Sequence, residues 1–433
     1  MSSAITQSEM ESRLWGAADE LRAKMPESQY ASVMFPLMFW KFLSDTWDHN
    51  HEVFLAENTG IEWLSADEAH EVEYRDYQTF EIPMIGRGKV GELRASWGAV
   101  LTTITQPGLG ARVRSSLQAI ETANPDKFSG LFGSLDWSRT GDDGLDGPVL
   151  VRVMQAMDRV PKMFAENVSY DVLGGAYEYL LKRFSDGSGT RAGQFFTPRE
   201  VVELIVRLLD PHDFDSVYDP ACGSGGMLIA AANLLKSHDG RPYTLRLSGQ
   251  ESVSSTAGVA RMNLFIHNLT SAVIRVGDTL HAPQFKKGDG TVEQFDVVLA
   301  NPPYSLKWDP WINDARAIGG IAPRSTADWA FVQHMVASMK SKTGRAGVVL
   351  PHGVLFRGGQ EAAIRRKVVE EDLLEAVIGL PANLFYSTSI PTCVLVFRAR
   401  GSKADERHNG VLFVDASQRF AKAGTATPCG ART

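Results

Sequence analysis

Four short stretches in the second half of the chain combine residue types that could hold a ligand and act on it. The first is Val217-Tyr218-Asp219-Pro220-Ala221-Cys222-Gly223-Ser224-Gly225-Gly226-Met227-Leu228, an apolar run ending in an acid, then a glycine-rich turn and the start of a helical pattern. Glycines let backbone approach a ligand closely and expose amides at a helix N-terminus. Asp219 there can accept from a cationic or hydroxyl-bearing group. The spacing is neither the dinucleotide GxGxxG nor a GK[ST] phosphate loop, and a plain strand-to-helix turn is the simple alternative. The second stretch, Leu247-Ser248-Gly249-Gln250-Glu251, also ends in an acid. One carboxylate at such a place can accept from two vicinal hydroxyls, as on a ribose. In the third, Val276-Gly277-Asp278-Thr279-Leu280, Asp278 can accept from the amino group of a planar base. Taken singly, Glu251 and Asp278 also read as ordinary strand-end and turn acids.

The fourth stretch decides more. Phe295-Asp296-Val297-Val298-Leu299-Ala300 leads into Asn301-Pro302-Pro303-Tyr304. Two prolines have fixed φ and no N–H, so the turn is stiff and cannot continue a sheet. Stiffness lets Asn301 Oδ1 and the Pro302 carbonyl point together at one amino group. Tyr304 offers a ring on which a flat base can stack. A rigid turn with a buried tyrosine is the bland alternative.

These stretches need strands to end where they begin. Short apolar runs at 216–218, 245–250, 272–276, 295–300, 346–350, 373–379 and 392–398 alternate with helical patterns at 200–209, 227–235, 253–268, 327–339 and 360–371. The alternation predicts a doubly wound α/β sheet, in which ligands bind at the carboxyl ends of the strands. Before it, Met10, Leu14, Ala17, Ala18 and Leu21 recur at helical spacing, and Val33, Leu37, Phe39, Trp40, Leu43 and Trp47 form a second apolar face. The chain reads as an all-helical N-terminal domain over 1–165, an α/β domain over 166–420 and an atypical tail over 421–433. The breaker-rich run 141–148 reads as a loop near the boundary, and 185–193 as a flexible loop by composition.

Composition narrows the class. The 433 residues are 44% hydrophobic and 22% charged, with three widely spaced cysteines (Cys222, Cys393, Cys429) and no CxxC pair. A soluble, reduced, cytosolic chain is expected, without a disulfide scaffold, secretory signal or membrane span. The net charge of −7 is uneven: residues 1–160 carry 14 Lys and Arg against 24 Asp and Glu, and the remainder 30 against 27. A chain that grips nucleic acid alone usually shows a strong basic patch, so any such grip is expected to be shared with a partner.

Asp-Pro-Ala-Cys-Gly-Ser-Gly-Gly at 219–226 followed by Asn-Pro-Pro-Tyr at 301–304 resembles the S-adenosylmethionine-dependent amino-methyltransferases that act on DNA adenine. Gln194-Phe195-Phe196-Thr197-Pro198-Arg199 and the N-terminal helical block make the chain similar to the modification (M) subunits of type I restriction-modification systems. The resemblance covers the chain to about residue 420. It implies a Rossmann-like S-adenosylmethionine-dependent methyltransferase domain. Gln194 to Arg199, Asp219 and the turn Gly223, Ser224, Gly225 and Gly226 would hold the methionine end of the cofactor. Glu251 would take the ribose and Asp278 the adenine, while Asn301, Pro302, Pro303 and Tyr304 would form the target-base pocket. Asp328-Trp329-Ala330-Phe331 would wall that pocket or belong to an aromatic core. An exocyclic adenine amine is a poor nucleophile because its lone pair is delocalised. Two acceptors on its hydrogens favour a pyramidal nitrogen, and the base must be flipped out of the duplex to reach them.

The resemblance also implies partners: double-stranded DNA, a specificity subunit that reads the site, and a restriction (nuclease) subunit. The family continues past the catalytic domain with a helical tail that helps dock the specificity subunit. Residues 423–433 are turn-forming and patternless, so loss of that tail by truncation or a shifted frame is expected. Protein-glutamine methylation, a non-catalytic scaffold role and cytosine N4 methylation are the alternative functions. Cys222 reads as a packing residue rather than a nucleophile. His49 and His51 read as exposed rather than metal-binding, and no metal is expected. Lys286-Lys287 could touch phosphate, whereas Arg365-Arg366-Lys367 reads as a solvated helix face.

Overall fold

The structure is a computed structural model that describes residues 5–22, 24–58, 66–85, 93–132, 137, 145, 147–186, 197–238, 244–310, 314–385 and 390–419. The tail over 421–433 and the predicted residues Gln194, Phe195 and Phe196 lie outside the described residues. The chain divides into two compact units, one formed by residues 1–188 with 265–268 and the other by 189–264 with 269–433. Among the described residues, no helix is long and apolar enough to cross a membrane.

The first unit is built on helices α1 (Gln7–Asp19), α2 (Tyr30–Glu57), α3 (Ala66–Asp76), α4 (Trp97–Leu101), α5 (Leu109–Ala123), α6 (Pro125–Phe128), α7 (Pro148–Asp158) and α8 (Tyr170–Asp186). Thr6 caps α1 in a reciprocal box with Glu9, which satisfies two otherwise orphaned amides. Helix α2 is buried around most of its circumference from Val33 to Ser44, as expected of a helix at the centre of a domain. Its Lys41 is enclosed and paired with Asp45 at 2.7 Å, and the same carboxylate accepts from Met163 N at 2.9 Å. A buried charge needs such partners to be tolerated. The unit is not purely helical. Strands β1 (Met84–Ile85) and β2 (Leu93–Arg94) form a small antiparallel pair that periodicity over two residues cannot announce.

The second unit is the sheet. Strands β3 (Ser216–Asp219), β4 (Arg246–Glu251), β5 (Val273–Val276), β6 (Val297–Ala300), β7 (Arg345–Pro351), β8 (Leu374–Gly379), β9 (Thr392–Arg398) and β10 (Leu412–Asp415) lie in the order 10-8-9-7-6-3-4-5. All neighbours are parallel except β9, which runs antiparallel to β7 and β8. Helix α9 (Arg199–Leu209) precedes β3. Helices α10 (Gly226–Ser237), α11 (Ser254–Ile266), α12 (Asp328–Ala337) and the pair α13 (Gly353–Phe356) and α14 (Gly359–Glu370) connect β3 to β4, β4 to β5, β6 to β7 and β7 to β8 in turn. Every residue of β3, β6 and β7 is buried, as in a sheet covered on both faces. Chain order reverses between β3 and β6, because β4 and β5 extend one way and β7 the other. Such a switch point opens a crevice at the carboxyl ends, where the Asp219 and Asn301 loops emerge.

Helix α9 shows how the layers lock. Val201, Val202, Ile205, Val206 and Leu209 are buried at helical spacing, and each is worth about 1.5–3 kcal/mol of transfer free energy. Its C-terminal carbonyls are taken by the Arg345 guanidinium, which donates to Leu209 O, to Asp210 O at 2.7 Å and to Asp215 Oδ2 at 2.8 Å. One buried arginine at the start of β7 thereby caps the helix packed on it.

Candidate active site

Strand β3 delivers Asp219 into the interior with 2% of its surface exposed, and Oδ1 accepts from Ala221 N at 3.0 Å. Burial, opposed by that hydrogen bond and reinforced by the Glu251 charge, pushes its carboxyl up to about 8. A buried acid held partly protonated near neutrality suits a ligand that brings positive charge. The following turn places Gly223 at φ 53° and Gly225 at φ 82°, left-handed positions that disfavour side chains, and α10 starts at the next residue. Ser224 is buried, and its carbonyl accepts from Asn263 Nδ2 at 2.9 Å. Cys222 lies under the turn, where burial drives its thiol well above the ordinary range. A packing role fits it; a nucleophile needs the thiolate.

Glu251 at the end of β4 is joined to this turn directly. Its Oε2 accepts from Gly223 N at 3.1 Å, and its Oε1 from Val253 N at 2.9 Å and Ser252 Oγ at 3.2 Å. A carboxylate has about four acceptor positions, so these bonds orient Glu251 and leave room for a ligand hydroxyl. Next along the sheet, Asp278 Oδ1 accepts from Leu280 N at 2.9 Å and His281 N at 3.2 Å, and Oδ2 lies 3.0 Å from His281 Nδ1. Burial raises its pKa, but the bonds from His281 and Leu280 outweigh that and hold it below the ordinary carboxylate range. Asp278 therefore stays ionised and acceptor-only. His281, whose Nε2 is 2.6 Å from the Asp309 carbonyl oxygen, carried no sequence signal of this role.

Asn301 emerges from β6. Its Nδ2 donates to Thr197 Oγ1 at 2.9 Å, and its Oδ1 accepts from the Tyr304 hydroxyl at 2.6 Å. The hydroxyl of Thr197, one of the residues the resemblance puts at the cofactor, lies on the Asn301 amide. Pro302 is buried and Pro303 half-buried. Tyr304 packs edge-on against Phe385 at 6.0 Å between ring centroids, and burial drives its phenol well above the usual value. Ser305 closes the turn at φ 53°, and its N–H donates to Asp328 Oδ1 at 2.8 Å. Asp328 Oδ2 in turn accepts from Arg357 Nη1 at 2.9 Å. Of the Asp328-Trp329-Ala330-Phe331 run, Asp328 therefore braces the loop that follows Asn301, while Trp329 and Phe331 belong to the core.

The remaining candidates are more peripheral. Pro198 caps α9 by accepting from Val201 N and Val202 N, and Arg199 is 81% exposed in a pair with Glu203 at 2.9 Å. Thus the glycine turn, Glu251 and the Asp278 loop are bonded into one cluster, and Thr197, Asn301 and Tyr304 into another.

The family profile described as N-6 DNA Methylase matches residues 168–428, a span that holds every one of these side chains. The chain belongs to that family. A second profile, HsdM N-terminal domain, matches residues 10–157 of this N-6 DNA methylase. The chain is 29% identical to the type I restriction enzyme MpnII methylase subunit of Mycoplasma pneumoniae, over 95% of its own length and 80% of the relative's. It is 31% identical to the HindI methylase subunit of Haemophilus influenzae, over 72% of its length and 69% of the relative's. With the MjaVII methylase subunit of Methanocaldococcus jannaschii identity reaches 39%, and the match spans 46% of that protein. A solved type I restriction-modification methyltransferase subunit from Streptococcus thermophilus superposes with a TM-score of 0.80 at 29% identity, covering 98% of this chain and 91% of that one. The methylase thus has the S-adenosylmethionine-dependent methyltransferase fold preceded by a largely helical N-terminal region.

Proposed function

We propose that this chain is the methylation subunit of a type I restriction-modification complex, transferring a methyl group from S-adenosylmethionine to N6 of a flipped-out adenine in DNA. Family membership supports the adenine amine as target. The observation that carries the reading is the pair of clusters at neighbouring strand ends: buried acids with a glycine turn after β3 and β4, and a rigid neutral-acceptor loop after β6. The residues fit the cofactor. A cationic methionine end matches the enclosed Asp219 carboxyl, and a ribose hydroxyl matches the acceptor capacity left on Glu251. An adenine amine matches the ionised Asp278.

S-adenosylmethionine, when bound, supplies a methyl group already activated on sulfonium. The chain then has chiefly to position the amine. Asn301 Oδ1 and the Pro302 carbonyl accept the two amine hydrogens and favour a pyramidal nitrogen, while the Tyr304 ring carries the flipped base. Site reading belongs to a specificity subunit, with double-stranded DNA as substrate and a restriction subunit as a further partner. We assign residues 1–165 to subunit contacts and a DNA clamp, 166–420 to catalysis, and the cytoplasm as the working compartment.

The test is transfer of labelled methyl to unmethylated DNA, with and without the cognate specificity subunit. Label on N6-methyladenine only when the partner is present is the expected result. Label on N4-methylcytosine, on protein glutamine, or nowhere despite cofactor binding would overturn the proposal.

A further inference from the structure

Beneath the loop that carries Asp278 lies a polar cluster that neither the glycine turn nor the target pocket uses. Its centre is Arg316, whose side chain is 8% exposed. Its guanidinium has five N–H donors, and all five have acceptors. Nε donates to Asp314 Oδ1 at 2.9 Å and Nη2 to Asp314 Oδ2 at 2.6 Å. The second Nη2 hydrogen goes to Leu280 O at 2.7 Å, and Nη1 donates to Thr279 O at 3.1 Å and His334 Nδ1 at 3.0 Å.

A second clamp faces the same loop. Gln250 Nε2 donates to Gly277 O at 3.0 Å and Ala282 O at 3.2 Å, and Thr279 Oγ1 donates to Pro220 O at 2.5 Å. Four of the six carbonyls from 277 to 282 are therefore held by two side chains. The clamps are also joined. Because His334 Nδ1 accepts from Arg316, its Nε2 carries the hydrogen, and it meets the Tyr218 hydroxyl at 3.2 Å. That hydroxyl lies 3.5 Å from Gln250 Oε1, a long contact. Burial, with the Arg316 charge, pushes His334 down to about 3, so the ring stays neutral near physiological pH.

We infer that Arg316 is a positioning residue for the adenine subsite of the cofactor, fixing through the Thr279 and Leu280 carbonyls the backbone that aims the Asp278 carboxylate. The inference rests on the proposed reading of Asp278. General stability does not require this device, since well-packed apolar residues usually serve a buried site as well as a charged cluster does. What the fork geometry adds is two adjacent carbonyls fixed at once, which a lysine with three donors on a flexible stem cannot reproduce.

The test measures binding to the full chain of two stable ligands: S-adenosylhomocysteine and its analogue with purine in place of adenine, which lacks the 6-amino group. In Arg316→Lys the affinity for S-adenosylhomocysteine should fall about tenfold or more, and that for the purine analogue by less than about threefold. The analogue has already lost the contact that Arg316 supports, so the two changes should not add. Asp314→Asn, nearly isosteric and less disruptive, should give the same inequality at smaller size and carries the test if Arg316→Lys does not fold. Equal losses for both ligands, or no loss for either, would overturn the inference. A wild-type chain that binds neither ligand would instead sink the cofactor reading, and the inference with it.

Discussion

The loops after β3 and β6 leave adjacent strands at the same end of one sheet, yet they are built from opposite materials. The β3 side uses acids and glycines: Asp219 is enclosed, Glu251 is tied to Gly223 N, and two turn residues sit at positive φ. The β6 side uses an amide, two prolines and a phenol, with no ionised group among residues 301–304. Charge explains the contrast. A cationic ligand rewards a carboxylate that can release its proton on binding, whereas a neutral amine brings no charge to compensate a buried carboxylate. Neutral acceptors on a stiff turn hold such an amine without supplying a proton. The two loops therefore divide binding from chemistry, and variants should separate the two.

The largest effect is expected on the β6 side. Asn301→Ala removes one of the two acceptors aimed at the amine and should lower methyl transfer by roughly 10²–10³-fold, by analogy with loss of a preorganised hydrogen-bonding group. Affinity for S-adenosylhomocysteine should stay within about threefold of wild type, because among the described residues the Asn301 side chain bonds to Thr197 and Tyr304. A matching loss of cofactor affinity would break the division. The converse experiment is Glu251→Gln. It should weaken cofactor binding by about tenfold to a hundredfold, the usual worth of a charge-assisted bond, and leave turnover at saturating cofactor nearly unchanged. A fall in turnover with unaltered affinity would move Glu251 to the chemical side.

A pH series sharpens the β3 half. In the ligand-free chain the Asp219 carboxyl sits at about 8, against 3.8 for an ordinary one, so it is mostly protonated at pH 7. A cationic ligand favours the ionised form, so binding should release a proton, and affinity should rise with pH up to about 8 and then level off. The slope below that point can reach about tenfold per pH unit. The sign for stability is the reverse. The folded state holds this proton more tightly than the unfolded one, so the ligand-free chain should lose stability as pH rises from about 4 to about 8. Asp219→Asn should flatten both curves, as followed by calorimetry and by Tm. A cofactor affinity independent of pH in the wild type would show that no charge is matched there.

Much of this division was legible in the sequence because it rests on local spacing. Strand ends at Asp219, Glu251 and Ala300 follow from apolar runs that stop at turn residues, and strands β3 to β9 begin and end within two residues of the predicted runs. Direction was not legible from periodicity. Strand β9 is antiparallel, and the available cue was the link from Gly379 to Thr392, which carries no helical pattern for a parallel crossover. The bonds that aim the site were hidden for a different reason: they join residues far apart in the chain. Thr197 meets Asn301 across 104 positions, and Arg316 reaches Thr279 across 37. Surface readings failed the same way. Arg365, read as part of a solvated face, is half-buried and donates to Val354 O at 3.0 Å and Arg357 O at 3.2 Å. His49 and His51, read as exposed, stack on Phe164 and Trp47 at ring-centroid separations of 4.1 and 5.1 Å. Hydropathy reports which side chains leave water, not which distant group receives them.

The smallest expected effect tests the β6 loop against itself. In the structure the Tyr304 hydroxyl donates to Asn301 Oδ1 at 2.6 Å, and that oxygen is the acceptor proposed for the target amine. The hydroxyl occupies one of that oxygen's two lone-pair positions, so it and the incoming amine share the acceptor, although the Tyr304 ring is expected to carry that same base. Removing the hydroxyl while keeping the ring separates the two roles. A neutral hydrogen bond is worth about 1 kcal/mol net, so Tyr304→Phe should change transfer by no more than about fivefold, in the direction of a gain. Tyr304→Ala removes the stacking surface as well and should lose most of the activity on duplex DNA. The comparison is best read with 2-aminopurine at the target position, whose fluorescence rises when the base leaves the stack. Retained flipping and transfer in the Phe variant would make the hydroxyl a resting-state plug on the acceptor. A hundredfold loss of transfer with flipping intact would instead make the hydroxyl part of the chemistry, and the β6 loop would no longer be a purely passive set of acceptors.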